Sequence, residues 1–168
     1  GFGKTRLLLE LSKIFVDQNH WKFLYMTYNS IAIEDEAELN YSSSTIFAWR
    51  LLYFYYFPKN TWIEFFSRIP SRLRPLLTLS LALENICADM KQQSPTLVDQ
   101  RIVIVLSIDE FQRLSPPRLQ RVVESIISEM LVSKAHYICV PVFAGLWFEP
   151  FDEVAKLSSI LPDRIFMS

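Results

Sequence analysis

The stretch Ile102-Val103-Ile104-Val105-Leu106 is aliphatic throughout and has no polar interruption. Because it lacks the alternation of a half-exposed strand, it predicts a parallel strand that is covered on both faces. Two further apolar runs, at 23–28 and 137–143, also predict buried strands. Apolar spacing and capping residues predict helices at 4–16, 44–57, 61–68, 75–90 and 116–133. This order of elements predicts an α/β fold, a three-layer sandwich around a mainly parallel sheet.

The composition favours one folded domain across residues 1–168. Hydrophobic residues make up 51% of the 168 residues and aromatic residues 14%, which argues against disorder. The formal net charge of -1 argues against a strongly basic nucleic-acid binder. Cys87 and Cys139 lie far apart in apolar surroundings, which predicts two buried thiols rather than a disulfide or a zinc site. We therefore expect a reduced intracellular compartment, cytoplasmic or nuclear.

The aromatic run at 46–57 is the segment that most resembles a membrane span. It is too short to cross a bilayer, and Arg50 interrupts it. We predict a buried helix there, with Ser44 as its N-cap and Pro58 after its end, and no membrane partner. The acidic segment 31–40, which includes Glu38, is predicted to be a solvated surface loop rather than a metal site.

Gly1-Phe2-Gly3-Lys4-Thr5 stands directly before the first predicted helix. It matches the second half of the phosphate-loop pattern G-x-x-x-x-G-K-[ST], whose first glycine would lie before residue 1. Small residues let backbone N–H groups curl around phosphate oxygens, and the helix N-terminus adds a positive dipole. We expect the segment from Gly1 to Arg6 to bind nucleotide phosphates, with Lys4 at the outer phosphates and Thr5 at Mg²⁺. An ordinary loop before a helix is the alternative.

Asp109-Glu110 follows the apolar strand predicted at 102–108, at its carboxyl end. Open parallel α/β sheets bind their ligands at that edge. An aspartate there can hold the hydration shell of Mg²⁺, and an adjacent glutamate can orient and deprotonate an attacking water. The alternative is that Asp109 only caps the turn that follows the strand.

These two motifs resemble the Walker A and Walker B pair of P-loop NTPases. One predicted strand lies between the motifs in sequence and another follows the second motif, an arrangement similar to the additional-strand division, which includes AAA+ and STAND proteins. The segments GKTRLLLEL, LYMTYN, SIDEFQRL and VPVFAGL also resemble the NTPase modules of Crinkler-type effectors and retrotransposon-hot-spot-like proteins. The resemblance covers nearly the whole chain.

The resemblance implies ATP, or another NTP, and Mg²⁺ as cofactors. It implies that Asp109 and Thr5 serve the metal, that Glu110 is the catalytic base, and that Asn29 after the first strand pairs with Glu110. A strand-terminating role for Asn29 is an equal alternative. Ala144-Gly145-Leu146 departs from the family pattern, because no polar sensor residue ends the last strand. Nucleotide sensing and hydrolysis coupling are therefore less well supported than binding.

The same resemblance implies a larger protein. We expect the strand before Gly1 and the start of the phosphate loop to lie outside residues 1–168, with the strands ending at Asp109 and Phe143 as neighbours of that strand. Partner domains or a homo-oligomer are expected as well. An arginine finger could come from any of several arginines, namely Arg68, Arg72, Arg74, Arg113, Arg118, Arg121 and Arg164.

Several functions stay open. The leading one is Mg²⁺-dependent ATP hydrolysis, and ATP is preferred over GTP because the base-reading motif of GTPases, Asn/Thr-Lys-x-Asp, does not occur in the sequence. The others are a non-hydrolysing nucleotide switch, a P-loop kinase with lid arginines at 68–74, and a pure interaction module.

Overall fold

A computed structural model of the chain describes residues 3, 6, 8, 10–11, 13, 20–28, 38, 40–57, 59, 61–132 and 134–144. Within the predicted helix at 4–16, the described residues 6, 8, 10, 11 and 13 are helical. The predicted phosphate-binding residues Gly1, Phe2, Lys4 and Thr5 lie outside the described residues, as do Asn29 and the segment 145–168.

Three parallel strands form an open sheet in the order β1, β2, β3. They are β1 (Trp21–Thr27), β2 (Ile102–Asp109) and β3 (Tyr137–Ala144). Their ends are in register, with Thr27 and Ala144 opposite Asp109 on either side of it. All three carboxyl ends therefore meet at one edge, and the predicted parallel sheet is confirmed.

Four helices are described: α1 (Ser43–Tyr56), α2 (Trp62–Arg68), α3 (Leu79–Gln93) and α4 (Pro116–Leu131). Helices α1, α3 and α4 contact one another, α1 also contacts β1, and α4 contacts β3. Alternate residues of β2 join these helices in one apolar core, namely Ile102, Ile104, Leu106 and Ile108. The chain is thus a mixed α/β domain with helices packed on one face of the sheet. The described helices account for one of the two helical layers of the predicted three-layer sandwich.

Strand β2 is buried on its other face too, since Val105, Ser107 and Asp109 are all at most 3% exposed. This fits the uninterrupted apolar run from which the strand was predicted. Strand β3 does not fit the prediction of a fully buried strand, because Ile138 is 41% exposed and Val140 37%. These two alternate positions share one face of β3.

The neighbours of β2 correct a second expectation. Because β1 and β3 occupy both sides of β2, the strand ending at Asp109 has no free edge at which a further strand could pair. The expected neighbours of the strand preceding Gly1 were the strands that end at Asp109 and Phe143, which are β2 and β3. Of these two, only β3 has an edge that is not paired with another described strand.

Two helix starts differ from those predicted. The N-cap of α1 is Ser42 rather than Ser44, because the Ser42 hydroxyl accepts the N–H of Thr45 at 3.1 Å. The helix predicted at 75–90 begins only at Leu79, after a short 3₁₀ turn, Arg74–Leu76, and its N-cap is Thr78. Proline is tolerated in a first turn, which made Pro75 a plausible but wrong start.

The cysteines and the membrane prediction can also be compared with the structure. Cys87 and Cys139 are both free and buried, as predicted, and burial raises the pKa of the Cys139 thiol to about 12. In the part of the chain that the structure describes, no helix is long and apolar enough to cross a membrane.

Candidate active site at the carboxyl edge of the sheet

Backbone hydrogen bonds fix the positions of Asp109 and Glu110 from both sides. The N–H of Tyr28, just after β1, donates to the carbonyl of Asp109 at 3.1 Å. The N–H of Glu110 donates to the carbonyl of Ala144 at 3.0 Å. The acidic pair is therefore held by the ends of all three strands.

The Asp109 carboxylate is buried and accepts hydrogen bonds at both of its oxygens. It is 3% exposed. Its Oδ1 accepts the N–H of Glu110 at 3.1 Å, and its Oδ2 accepts the hydroxyl of Tyr25 at 3.0 Å. The first bond reaches only the next residue, whereas the turn-capping contact that was the alternative role of Asp109 reaches two residues on. An ionised carboxylate offers about four lone-pair sites, so these two bonds do not by themselves prevent Asp109 from serving a hydrated cation.

Tyr25 is a site residue that the sequence motifs did not identify. It lies in β1 opposite Ser107, two residues from Thr27, so its side chain shares one face of the sheet with Thr27 and Asp109. Burial, and secondarily the Asp109 carboxylate, raises the pKa of the Tyr25 phenol to about 12. Tyr25 therefore stays a hydrogen-bond donor to Asp109 throughout the neutral range. The polar residues at alternate positions 25 and 27 of an otherwise apolar run were the available signal.

Ser107 adds a second polar atom to the same face. It is 1% exposed, and its hydroxyl has no hydrogen-bond partner among the described residues. It precedes Asp109 by two positions on β2, so the two side chains leave the strand on the same side. A buried hydroxyl without a partner is unusual and costly, and here it lies close to the acidic edge.

Glu110 has an uncommon backbone. Its φ of 57° and ψ of 29° place it in the left-handed region, and it is the one non-glycine residue with positive φ among those described. Its side chain is 26% exposed. Its Oε2 accepts the Nε2 of Gln112 at 2.9 Å and lies 3.4 Å from the Nε of Arg113. Such backbone positions cost about 1–3 kcal/mol and are concentrated at functional sites.

No protein-family model, curated protein or solved structure matches the chain. The family resemblance of the motifs therefore stays a prediction, and the site has to be judged by its own chemistry.

The structure brings together two of the predicted site residues and leaves the others apart or undescribed. Asp109 and Glu110 are adjacent at the sheet edge, whereas Gly3 and Arg6 are described as exposed helical residues. A Cβ added at Gly3 would meet no atom within 4 Å, so this glycine is not required by local crowding. Arg113 is one of the candidate arginine fingers, and in this structure it pairs with Glu110 of its own chain.

The donor set at the edge suits Mg²⁺. Mg²⁺ prefers oxygen ligands and is held by one or two carboxylates together with substrate phosphates rather than by an all-protein cage. Asp109 supplies one carboxylate at the edge, whereas the carboxylate of Glu110 is bonded to Gln112 and paired with Arg113. In the described part of the chain no group of three or more His, Cys, Asp and Glu side chains could hold a metal.

Proposed function

We propose that the chain is part of a P-loop nucleotide-binding module of a larger protein, and that this module binds ATP with Mg²⁺ and hydrolyses it. The observation that carries the proposal is the Asp109-Glu110 pair at the carboxyl end of the middle strand of a parallel sheet, held by backbone bonds from both neighbouring strands. Ligands of open α/β sheets bind at this edge. The sequence Gly1-Phe2-Gly3-Lys4-Thr5 before the first helix supplies the matching phosphate-binding motif.

Each residue of this site has a role that follows from its chemistry. Lys4 would bind the outer phosphates, and Thr5 and Asp109 would hold the cation. Bound Mg²⁺ supplies neutralisation of the charge on the phosphate oxygens. Tyr25 keeps Asp109 in place through its hydroxyl. Glu110 accepts the proton of the attacking water.

Glu110 has to change partners to act as a base. Its carboxylate accepts from Gln112, and its pair with Arg113 joins two partly exposed groups. Exposed ion pairs of this kind are worth about 0–1 kcal/mol. The pair with Arg113 is therefore easily exchanged for a contact with water at the phosphate, and the assigned role is energetically accessible.

A non-hydrolysing nucleotide switch is the second candidate, and one observation favours it. Strand β3 ends at Ala144, which offers only a methyl group at the edge where a polar sensor would serve hydrolysis. In that case the same edge would bind Mg²⁺ and nucleotide without turning it over. The two candidates differ in turnover and not in binding.

Lys4→Ala tests the phosphate-binding assignment. Because Lys4 is the cationic side chain that the motif places at the outer phosphates, its removal from a protein with the complete phosphate loop should weaken ATP affinity strongly in titration calorimetry with Mg²⁺ present. Lys13→Ala is the matched control, since Lys13 pairs with Glu10 on the helix surface and should leave affinity unchanged. Equal ATP affinity in Lys4→Ala and the wild type would refute the assignment. Turnover measured with and without candidate phosphate acceptors separates hydrolysis from a kinase activity.

A further inference from the structure

Arg50 forms a fully buried ion pair with Glu38. Both side chains are 0% exposed. The Nη2 of Arg50 donates to the Oε1 of Glu38 at 2.6 Å and its Nε donates to the Oε2 at 3.3 Å. Trp62 at the start of α2 donates its Nε1 to the same Oε1 at 2.6 Å. The prediction that Glu38 belongs to a solvated loop is therefore wrong for this residue, because Arg50 and Trp62 replace its water.

The same guanidinium reaches the edge of the candidate site. It lies 4.6 Å from the centre of the Trp62 ring and 5.4 Å from the centre of the Tyr28 ring. Tyr28 directly follows β1, and its N–H donates to the carbonyl of Asp109. A continuous series of contacts thus runs from α2 through Arg50 and Tyr28 to Asp109.

Arg50 also contacts two positions that flank one stretch of sequence. Tyr28 precedes Asn29, and Glu38 comes ten positions after Tyr28. One side chain of α1 therefore interacts with residues on both sides of the stretch 29–37, in which the proposed partner of Glu110 lies. Arginine suits this role because two N–H groups of its planar guanidinium can bind one carboxylate while the flat face of the guanidinium stacks on aromatic rings.

Stability alone does not account for this arrangement. Replacing a buried ion pair by apolar side chains of similar volume is often neutral or stabilising, whereas removing one partner costs about 3–5 kcal/mol. A purely structural contact between α1 and α2 could therefore be apolar, as it is among the neighbouring residues Ile46, Trp62, Phe66 and Ile69. What the charged pair adds is a defined geometry for Glu38 and Tyr28.

We propose that Arg50 is a positioning residue that couples the α1–α2 helix pair to the carboxyl edge of the sheet through Tyr28 and Glu38. Its effect on catalysis rests on the proposed function, but its effect on the backbone at Tyr28 does not. If α2 is displaced and Trp62 moves with it, Glu38 loses the hydrogen bond from the Trp62 indole. The Arg50 guanidinium, which is bonded to Glu38, then changes its position relative to the Tyr28 ring. The position of Asp109 therefore depends on how α2 is packed.

The test compares single and paired substitutions in the protein. Arg50→Met leaves Glu38 buried without its cation and should destabilise the fold. Glu38→Gln combined with Arg50→Met removes both charges, keeps an acceptor for the indole N–H of Trp62, and should restore most of the lost unfolding midpoint. If Arg50 positions the edge, the paired variant still exchanges the Tyr28 amide with deuterium at least about tenfold faster than the wild type. Its kcat for Mg-ATP falls about 10- to 100-fold with KM little changed, as expected for a misplaced catalytic group.

Two further variants serve as controls for the paired variant. Tyr55→Phe removes a hydrogen bond from α1 to Asp89 of α3, away from the edge, and should leave Tyr28 exchange and kcat unchanged. Arg50→Lys keeps the charge but loses the fork, so it should fold even if the paired variant does not, and should also speed Tyr28 exchange.

The outcomes separate the two proposals. Wild-type exchange at Tyr28 in the paired variant, or in Arg50→Lys if the paired variant is unfolded, overturns the positioning role. Faster exchange at Tyr28 with unchanged kcat also overturns it. A wild-type protein that neither binds nor hydrolyses ATP overturns the proposed function instead, and exchange at Tyr28 alone then decides the role of Arg50.

Discussion

Glu110 combines a strained backbone with the side chain proposed as the base. Its left-handed φ of 57° is maintained because its N–H is bonded both to Ala144 and to the carboxylate of Asp109. Left-handed backbone costs an L-residue about 1–2 kcal/mol. A glycine would fit this turn better, so the glutamate is retained at a cost in stability, as the proposed role of its carboxylate requires.

Glu110→Gly and Glu110→Ala measure that strain. Both remove the carboxylate and its contacts with Gln112 and Arg113, but only glycine adopts positive φ without cost. Glu110→Gly should therefore be more stable than Glu110→Ala by about 1 kcal/mol, the reverse of the usual order of these residues. Urea unfolding of the two variants decides this. Glu124→Gly and Glu124→Ala in α4 are the control pair, in which alanine should be the more stable. A less stable Glu110→Gly would mean that the backbone is unstrained.

Tyr25 makes stability depend on pH at the alkaline end. The unfolded chain loses the phenolic proton near pH 10, whereas the native state keeps it to about pH 12. The native state therefore binds more protons between these two values. The contribution of Tyr25 to stability is complete below pH 10 and is lost as the pH rises toward 12.

Tyr25→Phe should reduce the loss of unfolding free energy between about pH 9 and about pH 11.5. Part of the loss should remain, because burial also raises the pKa of Tyr55 and of Tyr137. An identical pH dependence in Tyr25→Phe and the wild type would show that the hydroxyl is not held against Asp109.

For single residues, the sequence alone singles out Asp109 and Glu110 as candidate site residues. It does not predict which other residues contact them. The acidic pair is recognisable because it ends an apolar run. The contact between Tyr25 and Asp109 joins positions 84 residues apart, so it depends on which strands pair and in what register. The positive φ of Glu110 likewise depends on the hydrogen bond from its N–H to the carbonyl of Ala144. No residue near Glu110 in the sequence predicts this backbone conformation.

At the level of elements, the caps decide where helices begin. Three consecutive serines, Ser42 to Ser44, are all good N-cap residues by type, so composition cannot choose among them. Packing determines which serine is the N-cap. Ser43 and Thr45 are buried in the first turn of α1, and Ser42 therefore lies just before the helix as its N-cap. The same reasoning moves the start of α3 from Pro75 to Leu79. Most other ends were predicted to within a few residues.

Ser42→Ala should destabilise the fold by about 1 kcal/mol, because the N–H of Thr45 loses its acceptor. Ser44→Ala, the matched control two positions along, should cost much less, since its hydroxyl contacts Ser42 rather than a backbone group of the first turn. Thermal unfolding of the two variants checks this. A larger loss in Ser44→Ala would restore the start predicted from the sequence.

At the scale of the whole molecule, the sheet order was only partly predictable. The apolar runs predicted all three strands and their parallel arrangement, but they do not say that β2 has a neighbour on each side. Pro141 within β3 was a usable signal, because proline has no N–H to donate to a neighbouring strand and is confined to edge strands. Among the described strands, β3 does lie at an edge of the sheet.

The buried Glu38–Arg50 pair shows a second limit of sequence reasoning. Each residue alone is expected at the surface, since charged side chains are rarely fully buried without a partner. Their pairing, the stacking of Arg50 on Trp62 and the closeness of Tyr28 appear only when α1, α2 and the end of β1 are packed together. Polar residues that the fold brings together from separate segments are therefore the part of the site that the sequence predicts least well.

The most direct test of a hydrolytic site at Asp109-Glu110 is the Mg²⁺-dependent ATP turnover of Glu110→Gln, measured beside its ATP affinity. The amide keeps the shape of the side chain and removes its basicity. ATP binding should persist while turnover falls about 10²- to 10⁴-fold, the usual cost of losing a general base. Glu124→Gln, an exposed substitution in α4, should leave both quantities unchanged. Turnover by Glu110→Gln equal to that of the wild type would contradict the assignment of Glu110 as the base.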